Sequence, residues 1–422
     1  MIEPKKKVAF YTLGCKLNFA ETSTISRVFT NQNISIVKFN EFADYYVVNT
    51  CSVTSNADKK SRNAISRAIH LNPQATVIIT GCYAELKSEE IKKIFNIENV
   101  IVIKNKNDIE SFLISDFSNF ELYNKGEMFF SAYSKGDRTR SFLKVQDGCD
   151  YFCNYCTIPL ARGRSRNVSI GEIIVQAKNI VNDGVKEIIL TGVNIGDFGK
   201  TTGESFFDLI KSLTAVNGIE RLRISSIEPN LLSYEMIEYI AENEKIMPHF
   251  HIPLQSGCDE VLKMMNRHYD TKFFRYKIEK IKQCIPNAFI GIDLIIGLNG
   301  ETEEYFQETL QFVESLDISF IHHFQYSERA NTKALKFEPK VTPQEKQRRS
   351  KLINDISDKK HYNFLKQNIG VEHSVLFEST KKNSKMYGYT ENYIRVERDY
   401  VENLINKIVK VKLTKETIDL KK

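Results

Sequence analysis

The sequence predicts an α/β protein in three parts: a doubly wound parallel sheet, a partial (β/α) barrel and a small C-terminal β-barrel. Three observations predict it. Apolar strand-like runs alternate with helical segments through roughly the first hundred residues, the alternation resumes six times between residues 141 and 326, and after residue 371 it gives way to short strands separated by turns. Strand–helix alternation implies parallel sheets covered by helices, and about fifty residues of short strands suit a small barrel. With 422 residues, 42% of them hydrophobic and 27% charged, the chain has material for two or three cores. The parts read as 1–125, 135–368 and 369–422.

In the first part, Val8-Ala9-Phe10-Tyr11-Thr12-Leu13-Gly14-Cys15 is an apolar run stopped by glycine, the mark of a buried strand. The pattern returns in Tyr45-Tyr46-Val47-Val48-Asn49-Thr50-Cys51 and in Thr76-Val77-Ile78-Ile79-Thr80-Gly81-Cys82, with helical segments at 20–31 and 57–71 between. Ligands of such sheets bind beyond the carboxyl ends of the strands, so Cys15, Cys51 and Cys82 are expected to converge on one crevice and form a three-thiol cluster site. The alternative is three buried free cysteines, since cysteine is often a core residue; three in register favour the cluster. The helical segment after Cys51 carries Lys59, Lys60, Arg62 and Arg67. A solvated face is the ordinary explanation for such charges, but the segment starts beside the crevice, and Lys59 and Arg62 are expected to contact RNA phosphate.

Residues 114–140 have no clear period and read as a connection with an edge strand near 128–133. Strand-like runs follow at 141–146, 187–190, 221–225, 249–253, 289–296 and 318–326, with helical segments at 170–183, 204–214, 233–243, 259–265, 271–284 and 301–316. Six such units point to a partial or full (β/α) barrel with its chemistry at the C-terminal strand ends. The loop after the first run, Gln146-Asp147-Gly148-Cys149-Asp150-Tyr151-Phe152-Cys153-Asn154-Tyr155-Cys156, spaces three cysteines by four and then three. Three thiolates on one tight loop hold three corners of an iron–sulfur cluster and leave the fourth iron open. A zinc loop, the alternative, wants a fourth ligand at comparable spacing, and the next histidine along the chain is His249. Eight cysteines in a reducing compartment favour metal or catalytic thiols over disulfides.

This loop resembles the signature of the radical S-adenosylmethionine enzymes. Thr12-Leu13-Gly14-Cys15-Lys16-Leu17-Asn18, Val48-Asn49-Thr50-Cys51-Ser52-Val53-Thr54 and Thr80-Gly81-Cys82-Tyr83-Ala84 resemble the N-terminal domain of the methylthiotransferases, and the resemblance covers essentially the full chain. It implies two 4Fe-4S clusters. The one on Cys149, Cys153 and Cys156, the catalytic set, binds S-adenosylmethionine at its open iron, where one electron cleaves the cofactor to methionine and a 5′-deoxyadenosyl radical. The auxiliary one on Cys15, Cys51 and Cys82 handles the sulfur being inserted.

The resemblance also implies cofactor contacts at the strand ends: Gly192 and Asn194 near the methionine amino group, Ser225 and Glu228 at the ribose, Gln255 in a segment that closely matches the family, and Gly291 beside the adenine. Arg162, Arg164 and Arg166 read as alternating along an extended segment, with side chains on one face. They bind a cofactor carboxylate or RNA phosphate, both of which arginine grips in bidentate geometry; Arg164 is the cofactor candidate. Two loops depart from the family. Leu298-Asn299 stands where Phe-Pro usually precedes Gly-Glu-Thr, and Tyr326-Ser327-Glu328-Arg329-Ala330-Asn331-Thr332 lacks the expected prolines. Cys258 and Cys284 match no ligand pattern and read as structural.

Residues 336–368 read as a charged helix, solvated or flanking RNA. The C-terminal part resembles the TRAM module that methylthiotransferases use to hold tRNA. Its Lys382, Lys385, Tyr389 and Arg395, with Tyr387 and Tyr393, supply the stacking and phosphate contacts such a surface needs. Within the family, Arg223-Ile224-Ser225-Ser226-Ile227-Glu228-Pro229 and the short terminal barrel look most like the subgroup acting on threonylcarbamoyladenosine next to the anticodon. The expected partners are the anticodon loop of ANN-decoding tRNA and an electron donor such as flavodoxin or ferredoxin, with neither DNA nor membrane. The alternatives are the isopentenyladenosine-tRNA enzyme, the enzyme modifying a ribosomal-protein aspartate, and a non-catalytic RNA-binding protein whose cysteines hold zinc or sense redox state. A net charge of +6 permits nucleic acid without demanding it. No run is long enough to span a bilayer, and Met1-Ile2-Glu3-Pro4-Lys5-Lys6-Lys7-Val8 lacks the apolar stretch of a signal peptide, so a cytoplasmic location is expected.

Overall fold

The computed structural model describes residues 5–114, 128–135 and 139–418. The first region is a five-stranded, all-parallel sheet of order β2-β1-β3-β4-β5. Its strands are β1 (Lys7–Thr12), β2 (Ser35–Val37), β3 (Tyr45–Thr50), β4 (Thr76–Gly81) and β5 (Val100–Val102). Side chains alternate across a strand, and in β3 both sets are buried. Tyr45 and Val47 pack with Ile25 and Phe29 of α1 (Lys16–Asn31) and with Ile109 and Phe112 of α2 (Asp108–Ile114). Tyr46 and Val48 pack on the opposite face with Ala64, Ile65 and Ala68 of α3 (Ser55–Leu71). The sheet is doubly wound, as expected. The edge strands β2 and β5, three residues each, were not anticipated, because runs that short carry no readable period.

The central region holds six parallel strands: β6 (Arg140–Lys144), β7 (Glu187–Thr191), β8 (Arg221–Ile224), β9 (His249–Gln255), β10 (Phe289–Ile296) and β11 (Phe320–Gln325). They form two three-stranded sheets linked by the parallel bridges Leu222↔Ile246 and Ser226↔His251, an open partial barrel. Alternation sorts the strands cleanly. Leu143, Ile188, Leu190, Leu222, Ile224, Ile252, Ile290, Ile292, Leu294 and Ile321 face outward into one apolar core with the surrounding helices. The alternate residues face the lumen: the apolar Phe142, Ile189, Phe289 and Phe320, and with them Arg140, Glu187, Arg221, Arg223, His249, His251, Asp293 and His322. A closed (β/α) barrel fills its interior with branched apolar layers; this one also carries charge. α1 closes the open side, with Ala20 packed on Phe142 and Ile189. The edge strand expected near 128–133 is a single antiparallel bridge, Tyr133↔Leu143. The remainder of that reading, 115–127 and 136–138, lies outside the described residues.

The charged segment at 336–368 forms α4 (Pro343–Gln367). Three of its cations, Lys346, Arg349 and Lys360, are internal anchors, while Arg348, Lys351, Lys359 and Lys366 are exposed. Arg349 is buried against Glu301 at 3.0 Å, Lys346 donates to the Tyr326 carbonyl, and Lys360 donates to that of Leu316. The last region is a curled antiparallel sheet of order β14-β13-β12-β15: β12 (Glu372–Lys382), β13 (Lys385–Thr390), β14 (Arg395–Asp399) and β15 (Ile408–Lys412). The chain beyond β15 returns to β14 through Glu397 N–H to the Thr417 carbonyl (2.8 Å). The sheet docks under the barrel, where Arg221 donates to the carbonyls of Tyr389 and Ser374, and Arg223 to that of Glu391. Among the described residues no helix is long and apolar enough to cross a membrane.

Candidate active site

In the N-terminal sheet, Cys51 and Cys82 directly follow β3 and β4, and Cys15 lies three residues past β1. Glycines let the loops close. Gly14 (φ +98°) passes so near Cys51 that a Cβ there would lie 3.1 Å from its Sγ, and Gly81 (φ +94°) sits where a Cβ would meet the Thr50 carbonyl oxygen at 2.4 Å. Cys51 and Cys82 are buried, and Cys15 is open to the crevice. Burial raises the pKa of Cys15 and Cys51, with Arg162 opposing it at Cys15 and the neighbouring thiols adding to it at both. Three sulfurs gathered in one crevice fit a cluster of iron ions as their ligand partner.

The loop 146–156 continues from β6. Gln146 is buried and works in two directions. Its Nε2 donates to the carbonyls of Asp147 and Gly148 and to Ser165 Oγ, while its Oε1 accepts from the N–H groups of Val193 (3.0 Å) and Asn194 (2.8 Å). The cysteine loop is thereby clasped to the loop after β7. Gly192 is needed there, since a Cβ would meet Ile195 at 2.8 Å and the Gln146 carbonyl at 3.0 Å.

A second brace comes from residues 264–269. Asn154 N–H donates to the Met265 carbonyl, Asn154 Nδ2 to that of Met264, and the Tyr151 ring stacks on His268 at 4.5 Å. Arg267 donates from Nη1 to Cys153 Sγ (3.3 Å) and pairs with Glu228. Burial pushes Cys149 up to about 11 and Cys156 up to about 12; it also raises Cys153, against the opposing charge of Arg267. Among the described residues no three His, Cys, Asp or Glu side chains are arranged to hold a single metal ion. Cluster irons each take one thiolate, so a wider set of sulfurs still fits one.

The structure brings Gly192, Asn194, Ser225, Glu228 and Gln255 to the strand ends around this loop. The Asn194 side chain is buried beside Asp197, and Gln255 has φ +69° where β9 slips register against β10. Glu228 pairs with Arg267 through Oε2. Gly291 lies at the third position of β10, in register with His251 and Phe320. Arg267 was missed because it follows a helix rather than a strand; its only sequence signal is an arginine in a polar loop.

The arginine segment is not extended. Arg162 closes a short helix (Ile158–Arg162) and meets Arg166 at Asp147, while Arg164 points elsewhere. Arg164 is exposed, paired with Asp150 at 2.8 Å and lying over the Phe152 ring. Arg166 turns back to the carbonyls of Arg162 and Arg164. Arg162 is buried and reaches the other cysteine site, with Nη2 to Asn18 Oδ1 at 2.6 Å and Nη1 to Glu21 (3.1 Å) and Asp147 (3.0 Å). Asn18 Oδ1 in turn lies 4.0 Å from Cys15 Sγ. Lys144 completes the network at 2.8 Å from Glu21 and 2.7 Å from Asp147. Burial works against ionising Glu21 and Asp147, but Arg162 and Lys144, with Lys106 at Glu21, outweigh it and hold both carboxyls well below their usual range. A further tie joins Arg329 to Ser52 and Asp58, both at 2.8 Å.

Of the residues expected to meet RNA, Lys59 and Lys382 are exposed. Arg62 donates to the Tyr83 hydroxyl and pairs with Glu90, and Lys385 pairs with Asp399. Arg395 lies over the Tyr387 ring at 4.0 Å. Tyr389 is turned toward the barrel, stacked on Tyr393 with Arg140 4.3 Å from its ring centre, so it is not an open stacking face. The two departures from the family pattern touch: Asn299 Nδ2 donates to Glu328 Oε1 at 3.0 Å. A cavity of ≈ 610 Å³ borders Glu21, Asp147 and Arg162 but none of the six cysteines, so cavity volume is a poor guide to the chemistry here. Cys258 is buried and Cys284 half-buried, apart from both sets.

Residues 7–103 match the Uncharacterized protein family UPF0004, and residues 143–313 match the Radical SAM superfamily. The chain is 38% identical to the threonylcarbamoyladenosine tRNA methylthiotransferase MtaB of Bacillus subtilis (strain 168), covering 97% of this chain and 94% of the relative. It is 36% identical to the protein of the same name from Aquifex aeolicus (strain VF5), covering 96% and 99%. It is 32% identical to the tRNA-2-methylthio-N(6)-dimethylallyladenosine synthase of Clostridium botulinum (strain Loch Maree / Type A3), covering 96% and 93%. In fold it is similar to the radical S-adenosylmethionine methyltransferase TsrM of Kitasatospora setae, with a TM-score of 0.56, 12% identity, and coverage of 76% of this chain and 73% of that one.

Proposed function

We propose, for a chain that belongs to the radical S-adenosylmethionine methylthiotransferases, that its substrate is threonylcarbamoyladenosine next to the anticodon of tRNA. The observation that carries this reading is near-full-length similarity to relatives named for that substrate, at higher identity than to the dimethylallyladenosine synthase. In this reading Cys149, Cys153 and Cys156 hold one 4Fe-4S cluster, with S-adenosylmethionine at its open iron, and Cys15, Cys51 and Cys82 hold the other. When bound, these groups supply one-electron hydrogen abstraction and the methylthio group that replaces the hydrogen.

The chain's own residues do the rest. Gln146 ties the loop of the first cluster to the backbone at Gly192–Asn194, where the cofactor's methionine end is expected. Arg267 places a positive charge on Cys153. Arg162 fixes the distance between the two cysteine sites through two buried carboxylates. Ser225 and Gln255 remain cofactor contacts in this reading, and the exposed Lys59, Lys382 and Arg395 contact RNA phosphate. The three parts 1–125, 135–368 and 369–422 act as cluster, radical and RNA-holding domains. ANN-decoding tRNA and a flavodoxin- or ferredoxin-like electron donor are the partners, in the cytoplasm.

Nucleoside mass spectrometry of bulk tRNA, from cells with and without the gene, tests the substrate. Loss of methylthio-threonylcarbamoyladenosine with accumulation of its precursor is the expected result. Loss of the isopentenyl counterpart instead moves the substrate, and no change in either removes tRNA from the account.

A further inference from the structure

Below the cysteine loops the lumen of the barrel is lined by charge, and nearly all of it is matched. Arg223 pairs with Glu187 at 2.8 Å, Arg221 shares the same carboxylate at 3.5 Å, Arg140 pairs with Glu378 at 2.7 Å, and His251 bonds Asp293 at 2.8 Å. Two groups nevertheless keep buried atoms without a partner among the described residues: Nε and Nη1 of Arg140, and Nδ1 of His249, a residue 7% exposed. The cation left over is Lys16, in the first turn of α1 and next in the chain to Cys15. Its ammonium lies in the field of Tyr393, Arg223, Arg140 and Glu187, and its charge is felt in turn by His249 and His322, so it projects into this same space. Among the described residues it has no hydrogen-bond or ion-pair partner. A half-buried ammonium without a counter-ion, beside buried donors without acceptors, is costly unless a ligand completes it.

We infer that Lys16 binds the carboxylate on the N6 substituent of the target adenosine. This rests on the substrate proposed above, whose substituent ends in the carboxylate and hydroxyl of threonine. C2 and N6 flank N1 on one edge of adenine, so a base that presents C2 to the sulfur at Cys15 carries its N6 substituent past the neighbouring residue. Lys16 meets the carboxylate there, and the free N–H groups of Arg140 and Nδ1 of His249 are available to the substituent's oxygens and hydroxyl. An isopentenyl group offers no charge and leaves Lys16 unpaired. Sites rejecting an analogue that lacks the recognised polar group do so by that mechanism.

The test uses reconstituted enzyme and anticodon stem–loops carrying threonylcarbamoyladenosine, its threonine methyl ester, or isopentenyladenosine, with equilibrium binding and methylthiolation both measured. Wild type is expected to bind the acid about tenfold or more tightly than the ester, the worth of a charge-assisted hydrogen bond. Lys16→Met is expected to bind acid and ester alike, with KM for the acid raised, and Lys16→Arg to restore part of the preference. Iron content checks that the Cys15 site still loads; if the methionine variant fails this check, Lys16→Gln takes its place. A neutral variant that keeps the acid-over-ester preference overturns the inference and leaves the proposed substrate standing. Wild type that thiolates only the isopentenyl stem–loop overturns both.

Discussion

Cys149, Cys153 and Cys156 share one loop, whereas Cys15, Cys51 and Cys82 come from the ends of three neighbouring strands. The first set is close to a local property of the chain, braced by Gln146 above and by residues 264–269 beside it. The second exists only once β1, β3 and β4 have paired, and it depends on two glycines at positive φ and on Arg162, a residue of the other region. A site assembled from distant strands is therefore sensitive to substitutions that a one-loop site tolerates, and the buried junction at Arg162 is where the two become one machine.

Removing that junction is expected to have the largest effect on stability. Arg162→Met leaves Glu21 and Asp147 buried with less positive charge than they need, and loss of one partner of a buried pair costs about 3–5 kcal/mol. A thermal melt that does not shift would mean that the two regions fold without this contact. Arg329→Gln leaves the buried Asp58 carboxylate without its cation, though the amide can still donate one bond, and is expected to cost about 3 kcal/mol, seen as a fall in Tm. Glu301, on the barrel side only, supplies the contrast. Burial pushes its carboxyl up to about 7 despite Arg349. The folded chain thus holds a proton that the unfolded chain has released. The stability this confers is complete below about pH 4.5 and is lost as pH rises to about 7. Glu301→Gln should remove about 2–3 kcal/mol of that pH dependence in urea unfolding between pH 5 and 8; an unchanged slope would show the carboxylate ionised throughout.

Gly81→Ala is expected to cost about 1–3 kcal/mol of backbone strain and to lower iron content at the three-strand site alone. Gly148→Ala, whose Cβ would lie 2.0 Å from the Arg164 carbonyl, should instead deplete the loop site. Equal iron loss from both would erase the distinction drawn between them.

Much of this was legible in the sequence, because strand ends are where α/β proteins keep their ligands and the six cysteines of the two sets all follow strands. The lumen was legible only in half. Arg221-Leu222-Arg223-Ile224 and His249-Phe250-His251-Ile252 alternate polar and apolar residues openly, but what the polar half faces is set by how far the barrel closes and by α1, which lies far away in sequence. Arg162 escaped for a related reason. Its period with Arg164 and Arg166 suggested one extended face, while Pro159 in the preceding turn starts a helix that turns Arg162 inward. The tie of Glu228 to Arg267 escaped because nothing local announces a partner thirty-nine positions on.

The measurement that tests the account most directly compares Cys51→Ala with Cys153→Ala, each purified and reconstituted with iron and sulfide, supplied with reductant, S-adenosylmethionine and substrate tRNA. The account expects 5′-deoxyadenosine without thiolated tRNA from Cys51→Ala, and neither product from Cys153→Ala. Methylthiolated tRNA from Cys51→Ala, or deoxyadenosine from Cys153→Ala, would contradict the division of labour between the two cysteine sites.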